Sequence, residues 1–200
     1  MNTNRQSAHG MVRRNWPAAL AIALALYAIV AGPDITSHDS ESEASATPGQ
    51  AKVLAPDFTL STPDGKKITL SKLRGSWVFV NFWATWCGPC VVEMPSLNNF
   101  YRLMKKENLK VLAVSIDTNG PDAVREFAAS KGLDFPVLLD GKGEVAASYG
   151  VTSIPFTVVV SPEGYVEAKA DGAREWDDPE MIQFFRDLMK GTVQKTVRAD

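Results

Sequence analysis

The chain has 200 residues, enough for one domain and an extension. Its 45% hydrophobic and 22% charged content is that of an ordinary globular protein. A net charge of −2 gives no electrostatic case for a nucleic-acid partner, since phosphate binding needs a concentrated basic surface, and two cysteines three positions apart cannot staple a disulfide scaffold.

Residues 1–15 carry Arg5, Arg13 and Arg14 and no acid, and residues 16–32 carry no charge. Seventeen helical residues span roughly 25 Å, slightly short of a hydrocarbon core of about 30 Å. Pro17 falls in the first turn, where its missing N–H costs little. The basic flank predicts a cytoplasmic N-terminus and sends the rest of the chain out, to the periplasm or extracytoplasmic space. Two readings fit, an uncleaved signal-anchor and a cleaved signal peptide. Val30-Ala31-Gly32 offers small residues for cleavage, but Pro33 would follow the cut, so the anchor is preferred. Arg13-Arg14 fits a twin-arginine export signal poorly. Residues 33–52 are acidic and serine-rich, with Asp34, Asp39, Glu41 and Glu43 between Pro33 and Pro48, and read as a disordered spacer. A folded domain is predicted over 53–192 and a short tail over 193–200.

In the domain, Phe58–Leu60 and Lys67–Leu70 flank Thr62-Pro63-Asp64-Gly65, a hairpin signal. Trp77–Trp83 is an apolar run broken only by Asn81, which suits a central strand buried on both faces. A helix is predicted from about Gly88 to Lys106, with Pro95 inside it and expected to kink it. A strand over Lys110–Ile116, a helix over Asp122–Lys131, a short strand at Pro136–Leu139 and a short helix at Glu144–Tyr149 follow. Phe156–Val160 and Tyr165–Ala170 are strands joined by the turn Ser161-Pro162-Glu163-Gly164. The last helix has Asp178 as cap, Pro179 at its first position and Gly191 at its end. Its stripe of Met181, Ile182, Phe184, Phe185, Leu188 and Met189 reads as core packing. The pattern predicts an α/β fold with a mixed central sheet flanked by helices.

The chemistry sits in Trp86-Cys87-Gly88-Pro89-Cys90, between a buried strand and a helix. A helix N-terminus stabilises a thiolate, and the thiolate is the species that attacks disulfides. Cys87, at the helix mouth and the more exposed, would be the nucleophile; Cys90, one turn in and shielded, would close the ring. Pro89 stiffens the turn and Gly88 leaves room for a partner's backbone. Other uses fit worse. A structural zinc site needs four ligands, and the domain offers two thiols and no histidine, so no metal is expected. Valine, not histidine, follows the second cysteine, which excludes c-type haem attachment. A purely structural disulfide over so small a loop would stabilise little. Glu93 lies three positions after Cys90, on the same helix face.

Ala55-Pro56-Asp57-Phe58, the run Val80 to Cys90, Glu93-Met94-Pro95 and Gly150-Val151-Thr152-Ser153-Ile154-Pro155-Phe156-Thr157 resemble the thioredoxin superfamily, and within it the TlpA/ResA-like extracytoplasmic thiol–disulfide oxidoreductases. The resemblance covers about 55–190. It implies a thioredoxin fold with an N-terminal β-hairpin and a central insertion over Gly120–Val151. It implies that Pro155 is a cis-proline beside the cysteines and that the Ile154 backbone binds substrate as an added strand. It also implies that Glu93, partly buried, is acid/base for Cys90; residues alone favour a solvated glutamate there. Plain thioredoxin has a buried aspartate where this chain has Asn81, so proton handling falls to Glu93. Trp83 reads as packing and Trp86 as a substrate contact.

Cys-Gly-Pro-Cys is thioredoxin's own motif, at about −270 mV against about −120 mV for the oxidant DsbA, a gap of roughly 7 kcal/mol. The expected activity is therefore reduction of protein disulfides, with no cofactor beyond the Cys87–Cys90 disulfide. The resemblance implies substrates such as apocytochromes c or copper-delivery thiols of respiratory oxidase. It also implies a membrane electron donor of the DsbD or CcdA type. Two alternatives are a thiol peroxidase, for which Thr85 is the nearest threonine, and a copper metallochaperone using both thiols.

Overall fold

The computed structural model describes residues 52–192. The anticipated anchor, the linker up to residue 51 and the tail from 193 lie outside the described residues. Among the described residues, no helix is long and apolar enough to cross a membrane.

Seven strands form one mixed sheet in the order β2-β1-β5-β4-β3-β6-β7. The hairpin forms as β1 (Thr59–Ser61) and β2 (Lys67–Thr69). Its turn closes through Gly65, whose φ of +86° a side chain would resist. A 3₁₀ turn at Leu70–Leu73 leads into β3 (Trp77–Trp83), the central strand. β4 (Leu109–Ser115) pairs with β3 in parallel, and β6 (Phe156–Val160) pairs with its other edge antiparallel. β5 (Val137–Leu139) runs parallel to β4 and joins the hairpin to the sheet through Ser61 and Leu139. β7 (Val166–Asp171) closes the far edge, one residue later than its sequence suggests, with a register shift at Val159/Val160. The helices are α1 (Gly88–Met104), α2 (Pro121–Lys131), α3 (Glu144–Ser148) and α4 (Pro179–Met189). α1 continues through Pro95. The stretch from Gly120 to Val151 contributes α2, β5 and α3.

Side chains alternate across a strand, so β3 feeds two cores. Val78, Val80 and Phe82 pack with Leu70, Leu138, Tyr149 and Val158 on one face. Phe79 and Trp83 pack with Met94, Leu97, Phe100, Trp176 and Phe185 on the other. Asn81 shares the parity of Phe79 and Trp83 and therefore lies on the α1 face. In α4 the Asp178 side chain accepts the Glu180 N–H at 2.8 Å, as its position before Pro179 requires. One expectation fails here. Ile182 and Phe185 are buried, but Phe184 is 36% exposed. The stripe is wider than the groove, and Phe184 falls on its solvent side. The architecture is otherwise the mixed α/β sheet anticipated, with a hairpin before it and an insertion within it.

Candidate active site

β3 ends at Trp83, and Ala84-Thr85-Trp86 turn the chain into α1. Cys87 is the N-cap residue, with extended φ and ψ of −85° and 104°. It is disulfide-bonded to Cys90, and the Cys90 N–H points at Cys87 Sγ from 3.3 Å. That N–H is among the donors a helix start leaves unpaired, so it is available to any charge on Cys87. Cys87 is the more accessible cysteine, as its place at the helix mouth implies, but narrowly: 6% exposed against 0% for Cys90.

The surroundings of Cys87 are uneven. Trp86 is 64% exposed, and Gly88 and Pro89 are also exposed. Val92, one turn further along α1, is exposed too and was not singled out from sequence. The Ile154–Pro155 bond is cis, and the Ile154 carbonyl oxygen lies 3.7 Å from Cys87 Sγ. Pro155 is buried and Ile154 half-buried. The turn from β3 is anchored by Asp117. Its carboxylate accepts the Thr85 N–H at 2.9 Å, the Thr85 hydroxyl at 2.6 Å and the Ser115 hydroxyl at 2.7 Å.

Glu93 is more buried than anticipated, 1% exposed rather than partly buried. Three donors reach it from distant parts of the chain. Asn81 Nδ2 donates to Oε1 at 2.9 Å. Trp176 Nε1 donates to Oε2 at 3.0 Å, and the Arg174 N–H reaches the same oxygen at 3.3 Å. Burial pushes the Glu93 carboxyl above its ordinary value of 4.5; these donors and the Arg174 charge offset part of that rise. Asn81 also donates to Thr157 Oγ1 at 3.2 Å, its direct cross-strand partner on β6. Asn81 Oδ1 and Trp83 Nε1 are buried and have no hydrogen-bond partner among the described residues.

All the residues anticipated from sequence thus fall at one end of β3, around Cys87 or on the first two turns of α1. Asp117, Thr157, Arg174 and Trp176 were not anticipated. Trp176 stands 83 positions from Glu93, and no local pattern ties the two. Among the described residues, no group of three or more His, Cys, Asp or Glu side chains is placed to hold a metal ion.

The arrangement provides a reversible disulfide at a helix mouth, a carbonyl edge beside the outer sulfur, and a buried carboxylate with a raised pKa one turn beyond the inner one. A model of the AhpC/TSA family matches residues 52–169. The thiol-disulfide oxidoreductase ResA of Bacillus subtilis is 38% identical over 136 residues, covering 68% of this chain and 74% of that one. The ResA protein of Geobacillus kaustophilus is 36% identical over 160 residues, covering 80% and 89%. A crystal structure from Chlorobium tepidum, described as a thiol:disulfide interchange protein DsbE, superimposes with a TM-score of 0.61. It is 30% identical, covering 70% of this chain and 96% of that one.

Proposed function

The chain belongs to the AhpC/TSA family, and from that premise we propose that it is a reductase of protein disulfides, working outside the cytoplasm and tethered by its N-terminus. Thiol–disulfide oxidoreduction of the ResA and DsbE type, on a thioredoxin fold, is its chemistry. The observation that carries the proposal is the Cys87–Cys90 disulfide at the start of α1, with the cis Ile154–Pro155 bond beside it and Glu93 behind.

In the reduced form, Cys87 is a thiolate favoured by the α1 N-terminus and the Cys90 N–H. It attacks one sulfur of a substrate disulfide. A mixed disulfide forms, and the other substrate sulfur leaves as a thiolate that takes up a proton. Glu93 then accepts the Cys90 proton, and the Cys90 thiolate attacks Cys87 Sγ. The Cys87–Cys90 bond forms, the mixed disulfide breaks, and the second substrate thiol departs with a proton. Two electrons have passed from the cysteine pair to the substrate. The substrate chain lies extended against the Ile154 backbone, with Trp86, Gly88, Pro89 and Pro155 shaping the contact.

The thioredoxin-like Cys-Gly-Pro-Cys motif supports the reducing direction. The basic flank and uncharged run at residues 1–32 support the tether. A pair that reduces substrates there must be re-reduced, which calls for a membrane donor of the DsbD or CcdA type. Substrates of the apocytochrome c or oxidase copper-site kind suit such a reductase. The peroxidase alternative is disfavoured, because the Thr85 hydroxyl is committed to Asp117. The test is the equilibrium reduction potential of the Cys87–Cys90 pair against glutathione or dithiothreitol. A value near about −270 mV supports the reductase; one near about −120 mV makes the protein an oxidant.

A further inference from the structure

Glu93 is the least exposed carboxylate of the described residues, yet the charged side chain that bears on it is only Arg174. β3 presents Asn81 to it and β6 places Thr157 behind Asn81, both neutral. α1 presents Cys90, which is held in the disulfide. Its polar partners are N–H groups, and an N–H can donate but cannot accept. A proton on Glu93 cannot be shared with any of these donors; it must take a spare lone pair or displace one of them. The donors of the pocket therefore favour the anion, against the burial that disfavours it.

Asn81 supplies a second, independent sign. Its Oδ1 is buried without a partner. Leaving a buried carbonyl bare is unfavourable, and turning the amide over would aim Oδ1 at the Thr157 hydroxyl, which can donate. The amide faces the other way, as an ionised Glu93 requires: Oε1 can then only accept, so it needs the Nδ2 side of the amide. Trp176 is fixed just as firmly. Its ring packs edge-on against Phe79 with centroids 4.8 Å apart and lies near Phe100 and Phe185. Its backbone N–H donates to Ser96 Oγ at 3.2 Å, and that oxygen lies 2.9 Å from the Glu93 carbonyl. The loop between β7 and α4 is thus tied to α1 at both the main chain and the side chain of Glu93.

Resting on the reading that Glu93 serves the Cys90 proton, we infer that Trp176 and Asn81 are positioning residues, each placing one N–H on one oxygen of Glu93 and so holding it in place as the carboxylate that receives that proton. Neither touches the sulfurs; both act through Glu93. Without either donor the burial of Glu93 is less offset, and the carboxyl holds its proton to higher pH.

The experiment uses the full chain with ¹³C at its glutamate carboxyl carbons, Glu93→Gln assigning the resonance. Trp176→Phe keeps an aromatic ring beside Phe79 and removes the donor. The Glu93 midpoint should rise by about 1–2 pH units in Trp176→Phe, the amount a hydrogen bond to a charged group is worth. Asn81→Ala should raise it similarly, and it serves if Trp176→Phe does not fold. Trp77→Phe, on β3 and away from the carboxylate, should leave it unmoved. A Glu93 midpoint unchanged in folded Trp176→Phe and Asn81→Ala overturns the inference. Alkylation of Cys90 against pH in the reduced protein separates the two readings. If the carboxyl midpoint moves while the thiol profile stays, Glu93 is positioned as inferred but does not serve Cys90. If both move together, the inference and the reading beneath it stand.

Discussion

Glu93 and Asp117 are two buried carboxylates near one cysteine loop, 1% and 4% exposed. Asp117 takes its hydrogen bonds from Ser115, two positions earlier, and from the main chain and hydroxyl of a single residue, Thr85, 32 positions earlier. Glu93 takes its bonds from β3 and from the loop before α4, 12 to 83 positions away. The first arrangement is a clasp on one residue, and what it fixes is the path of the chain into Trp86 and Cys87. The second is a cage around one oxygen pair, and what it fixes is a proton affinity. Two buried acids of similar exposure thus do different work because Asp117 grips one residue beside the cysteines, whereas Glu93 gathers one donor from each of three residues on β3 and the loop before α4.

That contrast breaks most readily at Asp117. Asp117→Ala leaves the Thr85 N–H and two hydroxyls facing an emptied site. It should cost about 3 kcal/mol of stability, measured by urea denaturation with the disulfide intact. A loss below about 1 kcal/mol would mean that water replaces the carboxylate and that the clasp idea is wrong.

Glu93→Gln probes the other side. Losing the acid/base group should slow disulfide exchange about 100-fold at neutral pH, read by stopped-flow with a model disulfide. Its stability effect has a definite sign. The folded protein holds the Glu93 proton above the ordinary value of 4.5, so between that value and the raised one it binds more protons than the unfolded chain. Stability contributed by this group therefore falls as pH rises through that window. Denaturation midpoints collected from pH 4 upward should show that fall in the parent protein and not in Glu93→Gln. Parallel curves would sink the claim.

The smallest effect belongs to Thr85→Val, which removes one donor to Asp117 and keeps the N–H. It should cost about 1 kcal/mol and leave the exchange rate within about threefold. A rate loss as large as that of Glu93→Gln would put the Thr85 hydroxyl in the chemistry and revive the peroxidase-like reading.

Much of this site was legible in the linear chain. The apolar run ending at Trp83, followed at once by Cys-Gly-Pro-Cys, is enough to place two sulfurs at a helix mouth. Alternation along β3 is enough to put Asn81 on one face with Phe79 and Trp83, although not to say what it meets there. Glu93 was harder. Its spacing from Cys90 showed a shared helix face, but a glutamate on a helix is commonly solvated, and only the likeness to a known group pointed inward. The α4 stripe shows the opposite limit: six apolar residues looked like one buried face, and the groove accommodated the face without Phe184.

What the sequence determined by itself, then, was whatever neighbours decide within a turn or a strand: the cap at Asp178-Pro179, the hairpin turn at Gly65, the sulfurs at the start of α1, and the parity of β3. The tertiary structure alone decided which distant residues supply hydrogen bonds to the buried acids and their partners. Thr157 meets Asn81 because β6 pairs with β3 in one particular register, and Trp176 reaches Glu93 because the loop after β7 folds back over α1. Such contacts depend on the packing of whole elements rather than on the residues beside them, so no short stretch of sequence encodes them. They are also the contacts that tune the carboxylate.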